Sequence, residues 1–316
     1  MADPTPTPEN PAAVGVVTES LWRETLQRVL RQRSAIIGLI LVGILGLFAI
    51  FAPVVTPYDP NQVLIGLENV KKRQGPCIHV LGCPADQPQH ILGIDGNVRD
   101  LYTRLVYGTR ISFRVGFVTV SFSVIIGTFL GAIAGYAGGW LDNLIMRVLD
   151  IVLAFPALLL AIAIVTVLGP GLTNAMLAIA FVTIPHYARV VRSSVIVIRE
   201  LEFVEASRAL GATSAQILFR RILPNTLSPL IVQATLGIGT AVLETAALSF
   251  IGLGAQPPTP EWGSMIAEEF NQLFSAPHLV FFPGVAITMT VLAFNLLGDG
   301  LRDALDPRLV QAVGKA

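Results

Sequence analysis

The chain has 316 residues, of which 53% are hydrophobic and only 13% are charged, and its formal net charge is zero. Soluble domains carry about 25% charged residues, so this composition predicts a protein whose surface mostly faces hydrocarbon. Zero net charge argues against a nucleic-acid-binding protein, and two cysteines are too few for a disulfide scaffold or a multi-cysteine zinc module.

The N-terminal segment, residues 1–34, is predicted to be a cytoplasmic tail that ends in an amphipathic helix. Residues 1–18 are polar and rich in proline, a composition that cannot bury a core and does not resemble a secretory signal. Over 19–34, apolar residues including Trp22 fall near one helix face with arginines around them. This pattern is typical of a helix on the membrane surface, although a simple lead-in to the first span explains it equally well.

Six segments are apolar and long enough to cross a bilayer, which takes about 20 residues of helix. The predicted spans are 35–54, 112–136, 146–168, 174–198, 227–252 and 279–298. The expected fold is therefore an all-α integral membrane bundle of about six transmembrane helices. The first helix covers 35–54, a loop covers 55–111, a core covers 112–298, and a cytoplasmic tail covers 299–316.

Small residues and prolines interrupt these spans in an informative way. Gly127, Gly131 and Gly135 repeat every four residues, which predicts a face on which the second span packs closely against another helix. Pro156 and Pro185 each remove a backbone donor, so a bend or a point of flexure is expected in the third and fourth spans.

The distribution of Lys and Arg predicts that both termini lie in the cytoplasm. The tails, the loop near 137–147 and the segment 199–226 would then be inside, and they carry most of the positive charge. The short outside loops, 169–173 and 253–278, carry none. The long outside loop 55–111 is an exception with six Lys and Arg residues, but long loops follow the rule only weakly.

Cys77 and Cys83 lie in that long loop with His79 between them. In an oxidising compartment their spacing permits a small disulfide-closed loop. We favour this pairing over two free thiols or a Cys/His metal site, because the spacing matches no zinc pattern. No metal ion and no cofactor is expected.

Segment 199–226 has the pattern helix, glycine, helix. Residues 205–210 favour a helix, Gly211 suits the left-handed residue that closes one, and Thr213 with Gln216 has capping-box spacing. The second helix is expected to end at Pro224. A short, rigid helix pair at the face of a membrane bundle can carry a push from a soluble partner into the spans on either side.

This segment also resembles the EAA loop of ATP-binding-cassette (ABC) importer permeases. The resemblance rests on residues with the spacing of that motif: Glu205, Ala206, Ser207, Gly211, Leu223 and Pro224. Ser207 stands where the motif has a second alanine, and Arg221 stands where it has isoleucine.

Further motifs resemble the dipeptide, oligopeptide and nickel branch of these permeases, and the resemblance covers roughly residues 22–309. The matching stretches lie at 90–112, 150–156, 247–263 and 298–308. The first departs from the branch signature at Asn97 and Val98, so its turn is expected to differ.

The resemblance implies a C-type permease subunit with the type I ABC importer fold, in the cytoplasmic membrane of a bacterium or archaeon. It implies a B-type permease, two ATP-binding subunits and an extracytoplasmic substrate-binding protein as partners, besides membrane lipid. Glu205 would offer its carboxylate to the ATP-binding subunit, and Gly211 would allow a tight turn; alternatively, Glu205 only solvates a loop. The chain has no phosphate-binding loop, so ATP hydrolysis is expected in the partners and no catalytic residue here.

Three other polar features of the spans are interpreted from their positions. Glu244, deep in the fifth span, is expected either to line the pathway or to hydrogen-bond to a neighbouring helix. His186 is expected to be a satisfied interior or interfacial histidine. Arg147 and Asp150, three residues apart, are spaced to pair on one helix face.

The main alternative function is a stand-alone secondary transporter, which calls for an inverted repeat and charges at mid-membrane. An intramembrane enzyme is a third possibility, but no nucleophile and base are evident. Peptides are favoured as substrate by the resemblance alone, and nickel chelates, glutathione and sugars stay open.

Overall fold

The computed structural model describes residues 28–305 as a bundle of helices, numbered here in chain order. These are α1 Arg33–Val55, α2 Leu101–Ala137, α3 Gly139–Leu153, α4 Ala157–Leu168, α5 Leu172–Ile198, α6 Glu202–Ala209, α7 Ser214–Ile217, α8 Leu227–Phe250, α9 Trp262–Glu269 and α10 His278–Leu305. Most of the predicted N-terminal amphipathic helix and the end of the C-terminal tail lie outside the described residues.

Within residues 28–305, five helical stretches are long and apolar enough to cross a membrane, and a sixth crossing forms if α3 and α4 count as one. The predicted all-α membrane fold is therefore confirmed. Helix α2 begins at Leu101, earlier than the predicted start at residue 112. Asp100 explains the difference, because its Oδ2 atom accepts a hydrogen bond of 2.7 Å from the amide of Thr103 and caps the helix.

The third predicted span is broken. Helices α3 and α4 are bent by 87° relative to each other. The break precedes Pro156, which lacks an amide N–H and restricts the backbone of Phe155. Pro185, by contrast, lies inside α5, which continues through it.

The centre of the bundle is the contact between α2 and α5. The glycine stripe lies in this contact, as predicted: a Cβ atom on Gly127 would lie 2.7 Å from the Cβ atom of Tyr187, and one on Gly131 would collide with the carbonyl oxygen of Ala188. Polar groups also join the two helices, since the hydroxyl of Ser123 donates to the carbonyl of Ala180 over 2.9 Å. The helices approach this closely because glycine has no side chain.

Ion pairs fasten α3 to α5. Arg192 binds both carboxylate oxygens of Asp142, at 2.5 and 2.6 Å. Arg189 lies 2.5 Å from Asp150. The expected pairing of Arg147 with Asp150 is therefore wrong, because α5 packs beside α3 and presents Arg189 to that carboxylate.

Residues 56–100 form a structured segment, the cap, at the end of the bundle where α1 ends and α2 begins. The favoured disulfide is present: Cys77 and Cys83 are bonded, with their Cα atoms 5.3 Å apart. Backbone hydrogen bonds pair Cys77 with His90, and an imidazole nitrogen of His79 lies 2.8 Å from the carbonyl oxygen of Gln87. The loop is thus closed on itself by covalent and hydrogen bonds.

Arginine–carboxylate pairs bind the cap to α9. Arg73 lies 2.8 Å from Glu269, and Arg99 lies 2.9 Å from Glu268. The amide of Gly96 donates to the second oxygen of Glu269 over 2.7 Å. These bonds tie the start of α2 to the segment between α8 and α10, so the cap and α9 are held together.

His90 is completely buried at the base of the cap, between two carboxylates. Its Nδ1 atom lies 2.8 Å from Asp100, and its Nε2 atom lies 3.0 Å from Glu68. Tyr58 stacks on the ring and donates its hydroxyl to Glu68. Burial on its own would lower the pKa of His90, but the hydrogen bonds and charges of Asp100 and Glu68 outweigh it and raise the pKa above the ordinary value.

The substitution Gly131→Ala should weaken the contact between α2 and α5. The added methyl group meets the backbone of Ala188, which cannot rotate away. We expect a loss of about 1–3 kcal/mol, measured as a lower melting temperature in detergent. Gly43→Ala in α1 is the control, since its methyl group meets nothing within 4 Å. Equal losses in both variants would contradict the role given to the stripe.

The stability of the cap should fall as pH rises. Because the folded state raises the pKa of His90, its contribution is complete below about pH 6.5, the ordinary pKa, and is lost as pH rises through the folded value. The melting temperature, followed from pH 5.5 to 8.5, should therefore lose this component in His90→Gln and keep it in His79→Gln, which alters an exposed histidine of the same loop. An unchanged pH dependence in His90→Gln would disprove the assignment.

Candidate functional site

The helix pair predicted for residues 199–226, the elbow, is present between α5 and α8. Gly211 has a φ of 84°, the left-handed conformation that closes α6. The predicted capping box is confirmed. The amide of Gln216 donates to Thr213 Oγ1 over 3.3 Å, and the amide of Thr213 donates to the side chain of Gln216 over 3.0 Å. Both helix ends at the turn are therefore satisfied.

One side of the elbow is anchored in the bundle. Val204 of α6, Ile217 of α7 and Ile222 are essentially without exposed surface. They belong to the same buried cluster as Val191 and Val195 of α5. A force on α6 therefore acts on packed side chains, and these cannot yield without displacing α5.

The other side of the elbow is open. Glu205 and Ala206 are exposed, and the carboxylate of Glu205 has no hydrogen-bond or ion-pair partner within residues 28–305. Leu210, at the tip, is 88% exposed. Ser207 is half-buried and donates its hydroxyl to the carbonyl of Phe203 over 2.8 Å. A free carboxylate beside an exposed leucine has the chemistry of a protein-docking surface.

Two surface cavities lie on either side of α6 and show where a partner could fit. The first, about 310 Å³, includes Glu205 and Arg208 together with Tyr136 of α2. The second, about 220 Å³, includes Ser207 and Leu210. The exposed residues of α6 thus form a ridge between two depressions.

The expected helix end at Pro224 is wrong. After α7 the chain forms a π-helical turn over Leu218–Ile222 and a 3₁₀ turn over Leu223–Thr226, and it then continues directly as α8. Pro224 stands in the first turn of the 3₁₀ helix, where its missing N–H leaves no bond unmade. The second half of the elbow is thus continuous with α8, with no non-helical residue between α7 and α8.

Two polar residues of the spans were singled out from the sequence. Glu244 lies six residues before the end of α8 at Phe250, is half-buried, and its carboxylate has no hydrogen-bond or ion-pair partner in the described part of the chain. Of its two expected roles, a hydrogen bond to a neighbouring helix is not seen among these residues, and pathway lining stays a prediction. His186 is exposed, because it lies on a side of α5 that no other helix within residues 28–305 covers; an interior position is therefore wrong, and an interfacial one stays a prediction.

Among residues 28–305, no group of three or more His, Cys, Asp or Glu residues could hold a metal ion. The described polar clusters are ion-pair networks of the cap and of α3 and α5, and their acids face arginines or His90 rather than one another. The elbow is therefore the feature with the strongest claim to a function.

Two family models match the chain. The model of the binding-protein-dependent transport system inner membrane component matches residues 127–311, a range that contains the elbow. The model of the N-terminal transmembrane domain of oligopeptide transport permease C matches residues 20–76.

Curated relatives match over most of their length. The dipeptide transport system permease protein of Alkalihalophilus pseudofirmus is 49% identical, with 96% of each chain covered. The glutathione transport system permease protein of Pectobacterium atrosepticum is 44% identical, with 91% of each chain covered. The dipeptide permease protein of Haemophilus influenzae is 46% identical over 89% of this chain and 92% of its own.

Solved structures share the fold. A chain of the inward-facing MetNI methionine ABC transporter superposes with a TM-score of 0.54 at 23% identity, covering 64% of this chain and 96% of that one. A second crystal form gives 0.53 at 22% identity, covering 65% and 98%. This likeness shows that the bundle has the fold of a type I ABC importer permease.

The substitution Gly211→Val should loosen the elbow without unfolding the bundle. A side chain at a left-handed φ costs about 1–2 kcal/mol. This strain lowers the free energy that is needed to open the elbow locally. Amide hydrogen exchange over residues 204–217 should become about 5–30-fold faster. Ala215→Val, in the helical part of the same elbow, should change exchange much less. If both variants exchange alike, the glycine conformation does not hold the turn.

Proposed function

The chain belongs to the family of binding-protein-dependent transport system inner membrane components, and from this premise we propose that it is the C-type permease subunit of an ABC importer for small peptides. It forms half of the solute pathway beside a B-type permease, and an extracytoplasmic binding protein delivers solute to the cap end. Two ATP-binding subunits supply the energy, and one of them binds the elbow. The observation that carries the proposal is an exposed helix with a free carboxylate, Glu205, rigidly anchored in a membrane bundle.

The geometry of the elbow suits a coupling role. Helix α6 follows α5 after a short turn, and α7 leads without interruption into α8. A rigid-body shift of α6 with its ATPase therefore displaces α5 and α8 together. Docked partners that prefer one arrangement of these helices shift the balance between inward-open and outward-open states, and no covalent chemistry occurs in this chain.

Charge placement supports a cytoplasmic elbow. The elbow carries Arg199, Arg208, Arg220 and Arg221. The cap and its junction with α2 were the exception to the excess of Lys and Arg on the cytoplasmic side. Three of their arginines form ion pairs: Arg73 with Glu269, Arg99 with Glu268, and Arg104 with Asp95. Their charge is neutralised within the fold, so the remaining bias supports an elbow on the inner side of a multi-pass protein of the cytoplasmic membrane.

Peptides are the favoured solute class because the relatives named above include dipeptide and glutathione permease proteins, and glutathione is itself a small peptide. A stand-alone secondary transporter needs no surface for a motor subunit, whereas the ridge of α6 exposes Glu205 and Leu210. The structure therefore favours the ATP-driven reading.

The substitution Glu205→Lys should uncouple the permease from its motor. A lysine would meet the basic group that a carboxylate-binding cleft presents, and like charges at an interface cost several kcal/mol. We expect ATP-binding subunits to be retained at least about tenfold less well in pull-downs through this chain, and transport-coupled ATP hydrolysis to fall in parallel.

Asp86→Lys is the control for this experiment, since it makes the same charge change at an exposed position of the cap. It should retain the ATP-binding subunits. Normal retention together with normal coupled hydrolysis in Glu205→Lys would refute docking at the elbow.

A further inference from the structure

Helix α5 exposes two different faces along its length. Towards the cap end its large exposed residues are apolar, Leu177 and Phe181. After Pro185 the exposed residues are His186, Arg189 and Ser193, followed by Val197 near the helix end. A helix turns by about 100° per residue, so the three polar residues lie about 80–180° around the axis from the apolar pair. Charged side chains are costly in hydrocarbon, so the polar face does not point into lipid.

Two residues of this polar face, Arg189 and Ser193, line a groove. A cavity of about 930 Å³ lies between α3 and α5. Its polar lining consists of Asn143, Arg147, Asp150, Arg189, Arg192 and Ser193. The groove is large enough for a small solute and its hydration water, and both of its walls belong to this chain.

The charges of the groove do not cancel. Asp142 is held by Arg192, and Asp150 is held by Arg189. Arg147 is exposed and has no hydrogen-bond or ion-pair partner within residues 28–305. The groove therefore has an uncompensated positive charge, and a guanidinium presents a planar set of donors that matches a carboxylate.

Helix α3 separates this groove from an apolar surface. Three large apolar residues of α3 that do not line the groove are also exposed: Trp140, Val148 and Ile151. The same short helix thus has one side suited to hydrocarbon and one side suited to water. Val148 is the immediate neighbour of Arg147, so the boundary falls between adjacent residues.

The polar face also has a direction. At about 1.5 Å per residue, Ser193 lies about 9 Å from Arg199 at the elbow end of α5, and His186 lies about 20 Å from it. The polar surface therefore runs from the elbow end into the middle of the membrane.

We propose that this groove between α3 and α5 is the wall that this chain contributes to the elbow-side half of the solute pathway, and that Arg147 makes it a passage for the carboxylate end of the solute. This assignment rests on the proposed transport function and adds to it the pathway wall and the charge of the group that it favours. An anionic lipid headgroup would use the same guanidinium, and the experiment separates the two, since a lipid-filled groove excludes water.

Thiol accessibility tests the proposal without measuring transport. The chain has two cysteines, which are bonded to each other, so introduced cysteines are the reactive thiols of this subunit. Arg147→Cys, Asn143→Cys and Ser193→Cys, each in the assembled transporter in inside-out vesicles, are treated with membrane-impermeant methanethiosulfonates and followed by mass spectrometry of this chain. The matched controls are Val148→Cys and Ile151→Cys, which are exposed on α3 but do not line the groove.

We expect the three groove positions to react at least about tenfold faster than the controls, because the reactive thiolate forms in water. Equal rates at Arg147→Cys and Val148→Cys, or protection of both Asn143→Cys and Ser193→Cys, would overturn the proposal. Such protection is the result expected if lipid or the second permease fills the groove.

The sign of the charge is tested at Ser193→Cys. An anionic methanethiosulfonate should react faster than a cationic one, since a charged cleft concentrates ions of opposite sign. Adding Arg147→Gln should remove most of this preference, whereas adding Arg147→Lys should keep it. A preference that survives Arg147→Gln would reject the role of Arg147. This experiment and the one at Glu205 can fail separately. The labelling rates report whether water and anions reach the groove, whereas Glu205→Lys reports whether ATP-binding subunits dock at the elbow.

Discussion

The rest of the structure depends on the close approach of α2 and α5. Glycines at positions 127, 131 and 135 allow the two backbones to meet, and the buried hydroxyl of Ser123 bonds across the contact. Because α2 begins in the cap and α5 ends in the elbow, this contact joins the two ends of the molecule. A bundle without the glycine stripe would separate these helices by the width of a side chain and lose the shared core that anchors Val204.

The two ends of the bundle are rigid for different reasons. The cap is held by a disulfide, by the buried His90 between Asp100 and Glu68, and by arginines that reach α9. The elbow is held by apolar packing and by a capping box. Water can compete for polar groups at both ends, but at the elbow the anchoring is apolar and the carboxylate of Glu205 has no partner within residues 28–305. Under the proposed function, this division leaves Glu205 available to a partner subunit while the apolar packing transmits force.

Features that depend on neighbouring residues were predictable from the sequence. The spans follow from apolar runs, the glycine stripe from its four-residue repeat, and the turn at Gly211 from local capping rules. Features that depend on packing were not. The partner of Asp150 is set by where α5 lies, the exposure of His186 by which helices cover it, and the continuity through Pro224 by a π-helical turn that no composition rule indicates. The sequence motif predicts which residues of the elbow contact a partner and in what order they occur. Only the structure shows which neighbouring side chains are buried and which are exposed, with Val204 facing inward and Leu210 outward.

The placement of positive charge links these observations. Arginines of the cap face carboxylates, as do Arg189 and Arg192 on α5. A charge in a membrane protein is stable when it is paired or in water, so an unpaired, exposed Arg147 beside a paired Arg189 indicates that water reaches this groove. The same reasoning assigns Arg147 and Val148, adjacent residues of α3, to different surroundings. The exposed charge needs water, whereas the exposed valine suits hydrocarbon. A pathway wall requires such a boundary, with a wet side that tolerates the solute's charge and a dry side that keeps the protein in the bilayer.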